Sequence, residues 1–342
     1  MTVEREPASQ EPGESAPGSR RRRSADRAAG AWRRLTATPS RRFGLATAGA
    51  TIVLGAVYGL FVLTGSGQRL ENIALMGAQL RRDAVREESL AYLSQVSIVS
   101  YAAAIFCLVA IAFLRRRLGL GALVGLVMGG SVVVAEVLKD VLPRPELVTG
   151  PAWILRNDFP SGHATIAASI GIGALLVAPD RLRWVVLPLG AAFAAVIGQS
   201  SQITGWHRMS GAAGGVTLVI AASCAALFLL ARRGYVQPTQ RGRIHPRLRA
   251  AILVVPAGAF VVAAAALALL VAFPLLQAPR DADAVFLHTV FELLGFGFTI
   301  VAFVAFAAVI EPFSLGRFER AGVAPRAVEP DLEGASAASD EH

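Results

Sequence analysis

The chain has 342 residues, 54% of them hydrophobic and only 17% charged, with a formal net charge of +9. A soluble domain of this length carries more charge. The apolar residues here fall in long runs almost free of charge, which argues against an ordinary globular core and for membrane-spanning helices. The positive residues flank those runs, so they read as membrane topology and attraction to anionic lipid, and no nucleic-acid partner is expected.

In chain order, residues 1–42 are rich in Pro, Gly, Ser, Glu and Arg and offer nothing to bury, so a disordered basic cytoplasmic tail is expected. Ser40-Arg41-Arg42-Phe43 is faintly similar to a twin-arginine export signal, but the many spans that follow make a signal anchor sufficient. Hydrocarbon supplies no hydrogen-bond partner, so each apolar run must satisfy its own peptide groups as a helix. The first span covers about 43–65 and is followed by an outer segment, 66–93, of mixed charge. Further spans follow at about 94–114, 118–138, 161–178, 184–200 and 210–231. The last two lie at about 251–273 and 287–309.

The arginine clusters at 20–42, 115–117, 181–183, 232–233 and 241–249 all fall on one side when these spans alternate. That pattern predicts an even number of spans in the cell membrane and both termini in the cytoplasm. The expected fold is therefore an all-α, polytopic membrane helix bundle of about eight transmembrane helices. A six-helix core occupies 43–231, a basic cytoplasmic loop 232–250, two additional spans 251–309, and a disordered cytoplasmic tail 310–342. Cys107 and Cys224 lie inside apolar runs and read as small buried hydrophobes.

Three polar groups interrupt the pattern, all at the outer ends of the third to sixth spans. They are Lys139-Asp-Val-Leu-Pro-Arg144-Pro145, Asp158-Phe-Pro160-Ser161-Gly162-His163 and Ser200-Ser201-Gln-Ile-Thr-Gly205-Trp206-His207-Arg208. Lys139 and Arg144 are cations suited to phosphate, Arg through a bidentate fork. Ser161 and Gly162 would open a helix whose free N–H groups and dipole favour an anion. Two histidines can divide the roles of nucleophile and acid near neutral pH. No cluster at metal-ligand spacing appears, so neither a metal nor any other cofactor is expected.

These groups, in this order and spacing, resemble the type 2 phosphatidic acid phosphatase superfamily, membrane lipid-phosphate phosphatases that share an active-site core with vanadium haloperoxidases. The resemblance covers roughly residues 43–231. It implies that His207 is the nucleophile that forms a phosphohistidine and that His163 protonates the leaving alkoxide. It implies also that Lys139, Arg144, Ser161 and the Gly162 N–H hold the phosphate oxygens, with Ser200 and Arg208 beside them. The substrate would be a phosphatidate or a polyprenyl pyrophosphate whose tail stays in the bilayer, with hydrolysis on the extracytoplasmic face.

The chain departs from the family in three places. The first motif is K-x6-R-P, and its Arg position is Glu146. The third is S-R-x5-H-x3-D, and its Arg and Asp positions are Ser201 and Gly211. A carboxylate that orients such an imidazole can be worth on the order of 10⁴ in rate. Asp158, Glu136 or a backbone carbonyl would have to replace it, and Arg156 or Arg208 the missing cation. A catalytically impaired pseudo-phosphatase that binds lipid phosphates or scaffolds envelope proteins is the alternative, and a lipid transporter a third. Trp153 and Trp206 read as interfacial residues. Glu292 is an intramembrane acid that either serves function or pairs with His288 at i, i+4 spacing.

Overall fold

The computed structural model describes residues 38–81, 84–238 and 281–314. The span expected at 251–273, most of both tails and most of the 232–250 loop lie outside the described residues. Within them the chain is helical apart from a two-residue antiparallel pairing of β1, Gln237–Pro238, with β2, Phe313–Ser314.

The helices, in order, are α1 (Pro39–Val57, continued by a π-helical turn to Val62), α2 (Gly65–Leu80), α3 (Ala84–Gln95), α4 (Ile98–Leu114) and α5 (Leu118–Val141). After the short α6 (Ala152–Leu155) come α7 (Gly162–Val177), α8 (Arg183–Ile203), α9 (Met209–Arg232) and α10 (Asp281–Ile310). Five of the described helical stretches are long and apolar enough to cross a bilayer: 39–62, α5, α8, α9 and α10. The bent pair α3 and α4, meeting at 58°, makes a sixth if it is one span. The fold is a helical membrane bundle, and among the described residues its spans number five or six.

Two differences from the expected spans have physical causes. The run at 161–178 forms α7, whose 16 residues reach only about 24 Å. It is sheathed by α5, α8 and α9 and buried along most of its length, so it runs between the two ends of the bundle largely covered by other helices. The mixed-charge segment 66–93 holds α2 and α3. Ten residues of α2 are buried, Glu71 among them, because it packs on α10.

Local chemistry sets several helix ends. Thr64 caps α2 by accepting from the Gly67 N–H, and Ser97 and Ser100 form a capping box that starts α4 after the bend. Ser161 caps α7 through the Ala164 N–H, 3.4 Å away. The core runs along α7 and α9, where Ile172, Leu175, Val219 and Leu227 are buried with Phe303 and Phe306 of α10. Cys224 is buried in that core, whereas Cys107 is exposed on α4.

The bundle has two unlike ends. Arg42, Arg115 and Arg183 gather at one, where they donate to the carbonyls of Ala308, Val177 and Phe313. The C-terminus of α5, the N-termini of α7 and α9 and the C-terminus of α8 gather at the other, and so bring the three polar groups together.

Candidate active site

Two turns carry the site. At the end of α8 the Ser201 carbonyl accepts from the N–H groups of both Trp206 and His207, each at 3.0 Å. Gly205 makes this sharp reversal possible with φ of +72°, a left-handed conformation that L side chains rarely adopt. The turn puts His207 one residue ahead of Arg208, the N-cap of α9.

The second turn, Asp158–Ser161, lies against a glycine face of α9. The Ser161 N–H donates to the Gly211 carbonyl at 2.9 Å. A Cβ on Gly211 would stand 3.0 Å from the Asp158 carbonyl oxygen, and one on Gly215 only 2.7 Å from that of Ser161. These glycines let the loop approach the helix backbone. A side chain at 211 would begin in tight contact with the Asp158 carbonyl, so an aspartate there requires the loop to give by a few tenths of an ångström.

His163 and His207 meet across this junction. Their ring centroids are 6.0 Å apart, inclined by 56°, and Trp206 packs on His163 at 5.4 Å. His207 is half-buried, and its Nδ1 is fully buried without a hydrogen-bond partner. The Asp158 backbone lies near enough to favour ring protonation without reaching hydrogen-bond geometry. Burial, against the pull of the Asp158 charge and aided by His163 and Lys139, pushes the His207 pKa down to about 4. The ring is therefore neutral at physiological pH, as an attacking imidazole must be.

Asp158 is ionised. Burial alone would raise its pKa, but Arg208, His207, the Arg208 N–H at 2.9 Å and Arg144 together hold it below the usual carboxylate range. Its principal partner is the Arg208 guanidinium, at 2.8 Å. Arg208 donates also to Asn72 Oδ1 and to the carbonyls of Arg156 and Ile154. All five of its N–H groups are taken inside the protein, and the residue is only 4% exposed. It clamps α2 and the Asp158 loop to the start of α9.

The other expected phosphate ligands are placed as follows. Lys139 sits on the last turn of α5, 2.7 Å from Glu136, with its ammonium beside Gly162. Ser161 Oγ is buried and engaged in capping α7. Ser200 is buried on the last turn of α8, and its carbonyl accepts from Thr204. Arg144 is half-buried, with both terminal guanidinium nitrogens shielded from solvent and unbonded, near the charges of Arg208, Asp158 and Glu71. A cavity of about 890 Å³ opens beside His207, walled by Lys139, Trp153, Arg156 and Trp206. Among the described residues no group of three or more His, Cys, Asp or Glu side chains is placed to hold a metal ion.

Glu71 is a site residue that sequence reasoning missed. It is 1% exposed and accepts from the Ser210 N–H at 2.8 Å and the Ser210 hydroxyl at 2.9 Å, so it caps α9 three residues after His207. Burial raises its pKa to about 7 against the opposing pull of Arg208 and Ser210, with Asp158 adding to the rise. In the sequence it is one of several acids in a segment of mixed charge, and nothing local marks it. Beneath His207 a void of only about 10 Å³ is bordered by Glu71, Gln202 and His288. His288 lies 2.6 Å from Glu292, which in turn meets Arg81 at 3.1 Å. The i, i+4 neighbours are thus in buried contact, although His288 Nε2 does not reach hydrogen-bond geometry.

Fold and site together define a helical membrane bundle with two imidazoles, a lysine and a helix N-terminus gathered at one end beside an open cavity. No protein-family model, curated protein or solved structure matches the chain.

Proposed function

We propose that this protein is a membrane phosphohydrolase of the type 2 phosphatidic acid phosphatase kind, cleaving a lipid phosphate or polyprenyl pyrophosphate through a phosphohistidine on His207. The observation that carries this reading is the 6.0 Å approach of His163 and His207, 44 residues apart in the chain, beside Lys139 and the N-terminus of α7. Neutral His207 attacks phosphorus. Burial and the Lys139 charge lower the pKa of His163 against the pull of Glu136, so it takes up its proton as the anionic phosphate arrives and donates it to the departing alkoxide or phosphate oxygen. Lys139 and the first N–H groups of α7 stabilise the equatorial oxygens as charge accumulates. Water then attacks phosphorus and gives its proton to the now neutral His163, and the P–N bond breaks to release phosphate and free His207.

In this scheme the role of the absent aspartate passes to Asp158. Its carbonyl lies 3.0 Å from where that side chain would begin, and its carboxylate favours His207 protonation through charge, without a hydrogen bond to the ring Nδ1. Arg144, cationic and unbonded at its terminal nitrogens, is the reserve of positive charge for a phosphate drawn further in. The arginine-rich end faces the cytoplasm on the topology rule, which leaves the histidines extracytoplasmic and lets the substrate's tail remain in the outer leaflet.

A second reading, a pseudo-phosphatase that binds lipid phosphates without turnover, is favoured by the commitment of Arg208 to internal partners. Phosphate release from a panel of lipid phosphates and pyrophosphates by the purified protein separates the two. Turnover is expected for the wild type, with a loss of at least about 10³-fold in His207→Ala. Binding without release by the wild type selects the pseudo-enzyme, and full activity in His207→Ala removes that residue as nucleophile.

A further inference from the structure

The N-terminus of α7 already has a carboxylate on it. A Cβ built on Gly162 would lie 3.0 Å from Glu136 Oε1 and 3.4 Å from Lys139 Nζ. Glu136 and Lys139 stand one turn apart on α5 and are paired at 2.7 Å. The first N–H groups of a helix lack partners within it and attract negative charge. One carboxylate oxygen therefore lies beside the first residue of α7 without a hydrogen bond to its N–H groups, and it pairs with the cation that would hold a phosphate. The Glu136 side chain is 57% exposed, and Lys139 is its one side-chain partner with a formed contact among the described residues, so it is free to swing out.

We propose that Glu136 is an internal competitor at the phosphate seat and so determines which anions the site retains. Phosphate enters by displacing the carboxylate from Lys139 and Gly162. The return of the carboxylate expels the free phosphate dianion after hydrolysis, when no lipid tail anchors it any longer. An amphiphilic substrate, held also by the bilayer, outcompetes Glu136. A soluble phosphate, with nothing but the seat to bind it, does so poorly. The inference rests on the reading above that Lys139 and Gly162 receive the phosphate.

The test is titration of the full-length protein in detergent micelles with inorganic phosphate, followed by calorimetry. An exposed ion pair is worth at most about 1 kcal/mol, so Glu136→Gln and Glu136→Ala are each expected to bind phosphate about three- to fivefold more tightly than wild type. Glu136→Gln should gain less in a Lys139→Met background than in wild type, because part of the competition runs through the ammonium; an equal gain in both backgrounds overturns the inference. Unchanged or weaker binding in both single variants overturns the inference. Absence of phosphate binding in every variant removes the seat and the proposed function with it. Tighter binding in Glu136→Gln without hydrolysis of any lipid phosphate leaves the competitor standing and sinks the catalytic reading instead.

Discussion

At one end of the bundle, Arg115 donates to the last carbonyl of α7 and Arg42 to the Ala308 carbonyl near the end of α10. At the other end, Glu71 accepts from the first turn of α9 and Glu136 lies over the first turn of α7. Cations thus meet helix C-termini and carboxylates meet helix N-termini, as the backbone dipole favours. The ends differ in what those charges are free to do. The arginines at the first end satisfy helix carbonyls. At the histidine end the charges are more than the helix ends require: Arg208 is buried among four acceptor atoms and the terminal nitrogens of Arg144 are left unbonded. Excess buried charge costs stability, and groups perturbed in this way cluster at functional sites.

Perturbing the two ends should therefore give unequal effects. The largest change in stability is expected from Arg208→Met, which leaves Asp158 and Asn72 buried without their partner. A loss of about 3–5 kcal/mol should appear as a lowered thermal transition in detergent. A variant that melts with wild type would show that the guanidinium does not clamp α2 to the Asp158 loop.

Glu71 comes next, and the sign of its effect depends on pH. Its folded-state pKa of about 7 lies above its unfolded value of 4.5. The charged form is disfavoured in the fold, so stability is fully present below pH 4.5 and declines as pH rises through 7. Glu71→Gln removes this dependence. Between pH 4.5 and pH 8 the wild type should lose on the order of 3 kcal/mol relative to the variant. Parallel pH profiles would place Glu71 in a more solvated setting than its burial indicates.

The smallest effect belongs to the arginine end. Asp180→Asn breaks the Arg183–Asp180 pair, at 3.2 Å with Asp180 partly exposed, and should cost less than about 1 kcal/mol. A loss as large as that of Arg208→Met would abolish the contrast between the ends.

Much of the site's local grammar was legible in the chain. Ser161 and Gly162 start a helix because a hydroxyl cap and a small residue do so wherever they precede an apolar run. His288 and Glu292 pair because i, i+4 neighbours share a helix face. The partners of Arg208 were not legible. Asp158 is 50 residues away and Asn72 is 136, and no periodicity links residues at such separations. Glu71 was hidden for the same reason. The span count suffered from a different ambiguity, since a 16-residue apolar run such as α7 reads alike whether lipid or other helices surround it.

What the sequence by itself determined is the class of solvent and the kind of element: uninterrupted apolar runs in hydrocarbon can only be helices, and flanking arginines set their ends. The tertiary structure alone decided which charges face each other. The glycine face of α9 let the Asp158 loop pack tightly over position 211, the burial of α2 turned an ordinary glutamate into a cap of α9, and the turn at Gly205 brought His207 to His163. Each depends on close packing between segments distant in the chain, and contact of that kind is a property of the folded bundle.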